Sequence, residues 1–229
     1  MDLTKGSLVT KGYKGIYNRY IKRIIDIIMA FFFIIIAIPI YVFISIAILL
    51  EDGRPVFYRA LRGGYKGKPF WIFKFRTMVK NADKIGGGTT AMHDPRITKI
   101  GHVLRKTKMD ETANLINIIL GTMSFIGPRP ELLQYTDKYK GREKEILEVR
   151  PGVTDFSSIK FINLDEIVGT ENADDMYEKY VLEQKNSLRI EYAEKVSLIT
   201  DIKIFFLTII KVLEKIYKCI CNKNINKNI

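Results

Sequence analysis

Residues 27–50 read IIMAFFFIIIAIPIYVFISIAILL and carry no charge. The run exceeds the roughly 18 apolar residues that mark a membrane helix. A fully buried core helix is the competing reading, but a soluble domain of this size rarely buries a helix on every face. A cleavable signal peptide fits poorly. The run outlasts the usual ~7–15-residue apolar region, and no small-x-small pattern follows it.

Basic residues crowd both flanks. Lys11, Lys14, Arg19, Lys22 and Arg23 precede the run, and Arg54, Arg59, Arg62, Lys66 and Lys68 follow it. The positive-inside rule wants both flanks in the cytoplasm, which a straight span cannot give. Pro39 lies within the run and interrupts the helical hydrogen-bond ladder. The arms Ile24–Ile38 and Ile40–Leu50 would measure about 22 and 16 Å, short of the roughly 30 Å hydrocarbon core. A helix broken at Pro39, entering and leaving on the cytoplasmic face, reconciles charge, proline and length. Its freed backbone groups need partners, Ser45 being one candidate. Asp26 lies one turn inside, within reach of Lys22 and Arg23. A tilted span that tolerates its proline is the alternative.

The chain of 229 residues is 47% apolar and 27% charged, which excludes a disordered or collagen-like protein. Lysine and arginine total 37 against 25 acids; the net charge of +12 suits nucleic acid, anionic lipid or a phosphorylated small molecule. Cys219 and Cys221 are too close to staple a core and too few for a zinc site. With only His93 and His102, a multi-histidine metal centre is not expected.

Outside the apolar run the pattern predicts one helix-dominated α+β domain. Residues 56–78 read as a short β-hairpin, with Phe70, Ile72 and Phe75 alternating with Lys74 and Arg76. A loop over 79–95 holds Gly86-Gly87-Gly88. Helices are expected over Ile97–Arg105, Thr107–Leu120, Glu131–Glu148, Ala173–Lys195 and Ile202–Lys218. GPRP at 127–130 and RPG at 150–152 are stiff loops, and 153–162 reads as extended. The last helix is basic and amphipathic, fit to lie in a membrane interface or to pack on the domain. No internal repeat is present.

The chemistry-bearing residues follow. Thr107 can cap a helix whose first turn holds Asp110 and Glu111, where the exposed N–H groups and the dipole favour anions. An ionised carboxylate beside phosphate-binding N–H groups suits a phosphoryl-accepting nucleophile, although acids occupy first turns for dipole reasons alone. Arg129 and Arg150 each precede a proline that restricts their backbone, which suits bidentate phosphate recognition; two ordinary turns would read the same way. Arg62, Lys68, Lys74 and Arg76 form a basic stretch interleaved with Phe70, Trp71, Phe73 and Phe75. No recognised nucleic-acid motif accompanies it, so nucleic acid is not an expected partner.

Taken in order, these pieces resemble the bacterial sugar transferases, the small monotopic phosphoglycosyl transferases that begin glycan assembly on a polyprenyl carrier. The resemblance covers about residues 20–212. It includes KRIIDI before the apolar run and RALRGGYKGKPFWIFKFRTM after it. It continues through DPRITKIGHVLRKTKMDE, NLINIILGTMSFIGPRPEL, RPGVTDFSSIKF and DIKIFFLTI. It implies a re-entrant membrane helix and a catalytic dyad of Asp110 and Glu111, with Arg105 at the family's basic position. The chain departs from the family in having Leu120-Gly121-Thr122 where Lys-Gly-Asp is usual, and Thr154-Asp155-Phe156-Ser157-Ser158 after RPG.

The expectation is a monotopic α+β protein: a basic segment at 1–21, a re-entrant helix at 22–50 marked by Arg23, Asp26 and Pro39, a catalytic domain at 51–218 and a disordered tail at 219–229. It would sit at the inner face of the bacterial cell membrane. It would move sugar-1-phosphate from a UDP-sugar to polyprenyl phosphate and release UMP. Asp110 would be the nucleophile, kept ionised by the helix dipole and nearby cations. Glu111 would hold Mg²⁺. Arg62, Lys68, Lys74, Arg76, Arg105, Arg150 and the Pro128–Arg129 turn would bind phosphate. A glycosyltransferase that leaves the phosphate behind, or a non-catalytic membrane scaffold, are the alternatives.

Overall fold

The computed structural model describes residues 11–82, 94–162 and 176–225. The triple glycine, His93 and the start of the helix expected from Ala173 lie outside them.

Helix α1 runs from Lys22 to Asp52 with Pro39 inside it. It is long and apolar enough to cross a membrane, by length and composition. The helix is not broken at Pro39. A proline removes one N–H from the ladder, and here the helix carries on through that loss. Ser45 does not serve the freed group: its hydroxyl donates to the Tyr41 carbonyl at 2.6 Å, one turn back. Lys22, Asp26, Ala30, Ile44 and Ile48 form a buried stripe at helical spacing. Phe31, Phe32, Ile35, Ile36, Val42 and Phe43 are exposed.

The stripe rests on the domain from end to end. The antiparallel hairpin β1 (Phe57–Arg62) and β2 (Phe70–Phe75) pairs Phe57 with Phe75 and Arg62 with Phe70, as the alternation predicts. Helix α2 (Lys99–Thr107) is capped by the Thr98 hydroxyl, which accepts from Gly101 N–H. A 3-10 segment, Met109–Ala113, then leads into α3 (Asn114–Leu120). Ala30 of α1 packs with Phe70, Ile72, Ile118 and Met123. Ile44 and Ile48, about four to five turns further along α1, pack with Phe75, Leu104 and Ala113. Apolar contact with β2 and the α3 region thus holds both halves of α1.

The remaining chain builds a third cluster. Strand β3 (Ser124–Ile126) pairs in parallel with β4 (Gly152–Thr154). Between them the expected helix over 131–148 is interrupted: a single turn, α4 (Leu133–Thr136), is followed by a 3-10 stretch at Gly141–Glu148. Gly141 sits at φ +52°, a left-handed conformation that a continuous helix cannot contain. The segment expected as extended over 153–162 is also corrected. After β4 it folds into α5 (Phe156–Lys160), because the Asp155 carboxylate accepts from Ser158 N–H at 2.7 Å and caps it. A π-helical turn at Tyr177–Val181 leads into α6 (Leu182–Lys195), and α7 spans Leu198–Ile225. Helix α7 therefore outruns Lys218, into the stretch expected to be a disordered tail; residues 226–229 lie outside the described ones. It packs on the domain through buried Ile204 and Asp201, and its Ile199, Phe206, Ile210 and Leu213 remain exposed.

Candidate active site

Helix α2 ends at Lys108, whose backbone turns left-handed at φ +58°. That turn starts the 3-10 segment and places Asp110 and Glu111 in its first turn. Thr107 is not the cap expected for it. It closes α2, and its hydroxyl donates back to the Val103 carbonyl at 2.8 Å.

The two acids occupy opposite electrostatic situations. Glu111 accepts from Lys74 Nζ at 3.0 Å and also from the Arg129 guanidinium. Burial opposes its charge, but Arg129 and then Lys74 outweigh it and hold the carboxyl well below its usual range. Asp110 is buried, and its Oδ1 has no hydrogen-bond partner among the described residues. Burial first, and then the Glu111 charge, push its carboxyl above the usual range, against the pull of Lys74, Lys108 and Arg105. The expectation that dipole and cations would dominate at Asp110 is therefore corrected: desolvation wins.

Long-range clamps set the cations. The side chain of Asn117 is fully buried between α3 and β2. It accepts from Phe73 N–H at 2.8 Å and donates to the Trp71 carbonyl at 2.7 Å. It thereby fixes the strand residue next to Lys74 against the helix that follows Glu111. Thr122, where the resembled family has an acid, bonds to Asn117 instead, accepting from its amide at 3.1 Å. Arg129 is held by the loop joining β3 to α4. Gly127 N–H donates to the Thr154 carbonyl and Gly152 N–H to the Pro128 carbonyl, both at 2.9 Å. A Cβ at Gly152 would meet Gly127 N at 2.2 Å, so only glycine permits this approach.

The other expected residues divide. Arg105 donates to the Thr77 hydroxyl at 2.9 Å and acts on Asp110 through its charge. Arg62 lines a cavity of about 260 Å³ together with Lys74, Asn114, Arg129, Glu131, Tyr177 and Lys185. Lys68 is exposed beyond the hairpin turn. Arg76 is buried and donates to the Asp52 and Gly53 carbonyls, fastening the C-terminus of α1. Arg150 donates to the Gly121 carbonyl at 3.2 Å, at the end of α3 away from the acids. Arg23 reaches the Ile118 and Ile119 carbonyls there too, so it and Arg150 cap the negative end of α3. Neither Lys22 nor Arg23 hydrogen-bonds Asp26. Lys22 pairs with Asp201, and Asp26 accepts from Phe125 N–H at 3.2 Å.

Behind the cavity lies a polar network that sequence reading missed. Glu131 accepts from Arg189 at 2.6 Å and from the Tyr177 hydroxyl, and Arg189 donates to Asn186 at 3.1 Å. Glu131 falls in the GPRPEL stretch, but no motif marks Tyr177, Asn186 or Arg189, and they are brought to it from a distant part of the chain. The one available signal was the cluster of charge and tyrosine on the helix expected over Ala173–Lys195.

Among the described residues no group of three or more His, Cys, Asp or Glu converges on a metal position. Magnesium needs no such cage, because it takes one or two carboxylates and fills the rest with water and substrate phosphate. Asp110, with its unpartnered oxygen, and Glu111 fit an ion of that kind.

The family model for bacterial sugar transferases matches residues 17–215. The chain is 35% identical over 198 residues to the UDP-glucose:undecaprenyl-phosphate glucose-1-phosphate transferase of Escherichia coli (strain K12), covering 85% of this chain and 40% of that protein. It is 33% identical over 193 residues to the uncharacterized sugar transferase EpsL of Bacillus subtilis (strain 168), covering 84% of this chain and 87% of the relative. It is 32% identical over 203 residues to the exopolysaccharide production protein ExoY of Sinorhizobium fredii (strain NBRC 101917 / NGR234), with 82% and 83% covered. The family match takes in the apolar helix, the paired acids and the Gly-Pro-Arg-Pro turn together, and the chain belongs to the bacterial sugar transferase family.

Proposed function

We propose that the protein transfers sugar-1-phosphate from a UDP-sugar to polyprenyl phosphate, releasing UMP, as a membrane step of surface glycan synthesis. The observation that carries this reading is the asymmetric acid pair. Glu111 is fixed as an anion by two cations, while Asp110 beside it is buried with a free carboxylate oxygen. Asp110 attacks the sugar-side phosphorus. A bond forms from its carboxylate oxygen to phosphorus, the bond to the UMP oxygen breaks, and UMP leaves with that electron pair. An oxygen of the lipid phosphate then attacks the same phosphorus and releases the Asp110 carboxylate. A carboxylate of raised basicity is the better nucleophile once ionised. Lys74, Arg105 and Arg129 balance the charge that develops on the phosphoryl oxygens. Glu111 and Asp110 would hold Mg²⁺, which, when bound, offsets diphosphate charge.

The activity for which the E. coli relative is named and the family match support the substrate class. The E. coli relative is less than half covered by this chain, so the activity is tested directly. Donor carrying a radioactive phosphate next to the sugar is incubated with enzyme alone. Release of up to one UMP per site, with label retained on a peptide containing Asp110, is the expected result. Added polyprenyl phosphate should then take the label. Label that stays with the nucleotide would favour a transferase that moves sugar alone. A lipid reaction that proceeds without protein labelling would favour direct attack by the lipid.

We place α1 on one face of the membrane, with both ends cytoplasmic. Its two ends are tied to the same domain, by Lys22 to Asp201 and by Arg76 to the Asp52 and Gly53 carbonyls. Its exposed apolar side supplies the lipid contact.

A further inference from the structure

Lys185 on α6 is 7% exposed and lines the cavity beside the acid pair. A buried ammonium needs a counter-charge or several acceptors. Among the described residues Lys185 has no ion pair; its Nζ reaches the Tyr177 hydroxyl at 3.3 Å and sits 4.8 Å from the centre of that ring. Glu131, which also lines the cavity, is taken by Arg189 and the Tyr177 hydroxyl. Arg62, a further lining residue, likewise has no ion pair among the described residues; it donates to the Leu61 carbonyl at 3.3 Å and feels Glu131 through its charge. Asn114 completes the pattern: it lines the same space, and its buried Oδ1 has no partner. Among the described residues the cavity is therefore bordered by two cations with no direct ion pair and one acceptor with no donor. Lys74 and Arg129, also on its wall, are already engaged by Glu111. A ligand that completes all three groups carries negative oxygen and at least one hydroxyl or N–H.

We propose that Lys185 is a donor-binding residue: its ammonium grips a phosphate of the nucleotide sugar, together with Arg62, while Asn114 accepts a hydrogen bond from the donor. This rests on the phosphosugar-transfer reading above and names a further residue for it. Burial, and then Arg189, push the Lys185 ammonium down to about 8, so it remains mostly charged at neutral pH. Glu131 and Asp155 act on it only through their charge, and an arriving phosphate supplies the direct ion pair.

The test compares wild type with Lys185→Gln, Lys185→Met and Lys185→Arg in the full-length membrane-bound enzyme, by UMP release and lipid product. Loss of a charge-assisted hydrogen bond should raise the donor KM about 10- to 100-fold in the Gln and Met variants. Turnover at saturation should change little, the KM for polyprenyl phosphate should not move, and arginine should restore most of the affinity. Inhibition by UMP locates the contact. A raised inhibition constant in Lys185→Gln assigns the nucleotide phosphate; an unchanged one, with donor KM still raised, assigns the sugar phosphate. Arg62→Gln should reproduce the donor effect, which keeps the test open if a Lys185 variant folds poorly. An unchanged donor KM in active Lys185→Gln overturns the proposal and leaves the transfer reaction standing, as does a rise in the lipid KM in its place. A wild type that never releases UMP from any nucleotide sugar overturns both.

Discussion

Two adjacent carboxylates with oppositely shifted acidity form the proposed chemical centre, and their difference is measurable. Asp110→Asn removes a buried charge whose oxygen lacks a partner. It should abolish turnover while leaving the unfolding temperature at or above wild type in metal-free buffer at pH 7. Glu111→Gln strips the counter-charge from Lys74 and Arg129. It should cut activity by at least about 100-fold and cost about 1–3 kcal/mol of stability. Chelation with EDTA should stop wild-type turnover and Mg²⁺ restore it; full activity after chelation would remove the metal role of Glu111. A third titration belongs to Lys185. Tyr177, Glu131, Arg189, Arg129 and Asp155 surround it electrostatically. Its ammonium loses its proton as pH rises through about 8. Donor kcat/KM, which reports the free enzyme, should fall across that limb, and Lys185→Arg should move the limb upward. The acids stand out in sequence because a chain-long motif order converges on them, although Thr107 does not cap the turn that carries them. Their acidities were not legible, because desolvation depends on what covers a residue, and cover is set by contacts far along the chain.

At the level of elements, β2 and α3 form one unit through Asn117. Its side chain satisfies the Phe73 N–H and the Trp71 carbonyl, so Asn117→Ala should leave both unpaired. The expected cost is about 2–4 kcal/mol in denaturant unfolding. Turnover should fall as well, since Lys74 loses its fixed distance to Glu111, whereas Thr122→Val, at the edge of the same clamp, should cost less of both. The hairpin could be read from residue alternation because strand pairing is local there, from Phe57–Arg62 to Phe70–Phe75. Residues 156–160 were misread because the apolar pattern of TDFSSIKF outweighed a cap signal that was present: Asp155 three residues before the N–H it accepts. Asn117 carried no signal at all, since an asparagine among isoleucines looks like a surface position until β2 is laid against it.

At the scale of the molecule, α1 is joined to the domain along its length. Two clusters of the domain core, around Ala30 and around Ile44 and Ile48, receive the same helix. Polar ties close both ends: Arg23 to α3, Arg76 to the last turn of α1, and Glu51 accepting from the N–H groups of Lys99 and Ile100 at 2.6 and 2.9 Å. A helix crossing the roughly 30 Å hydrocarbon core would put one set of these charged contacts on the far side, and the domain with it. Charge on both flanks leads to the same proposal from sequence, and α1 itself runs on through Pro39. The domain itself supplies the second attachment, through Tyr41 Oη donating to the Thr112 carbonyl at 2.6 Å and through Ile44 and Ile48. Thr112 directly follows the acid pair, so α1, the anchor in the proposed reading, is tied to the turn that carries both acids; in that reading the turn lies near the lipid surface, where a polyprenyl phosphate would present its headgroup. The topology is tested with single cysteines at Lys14 and at Lys66, introduced in a background lacking Cys219 and Cys221. Both should resist an impermeant thiol reagent in intact cells and both should react after permeabilisation. Labelling of only one from outside would mean that α1 spans the membrane, and the ties at one of its ends could not then exist in the membrane-bound protein.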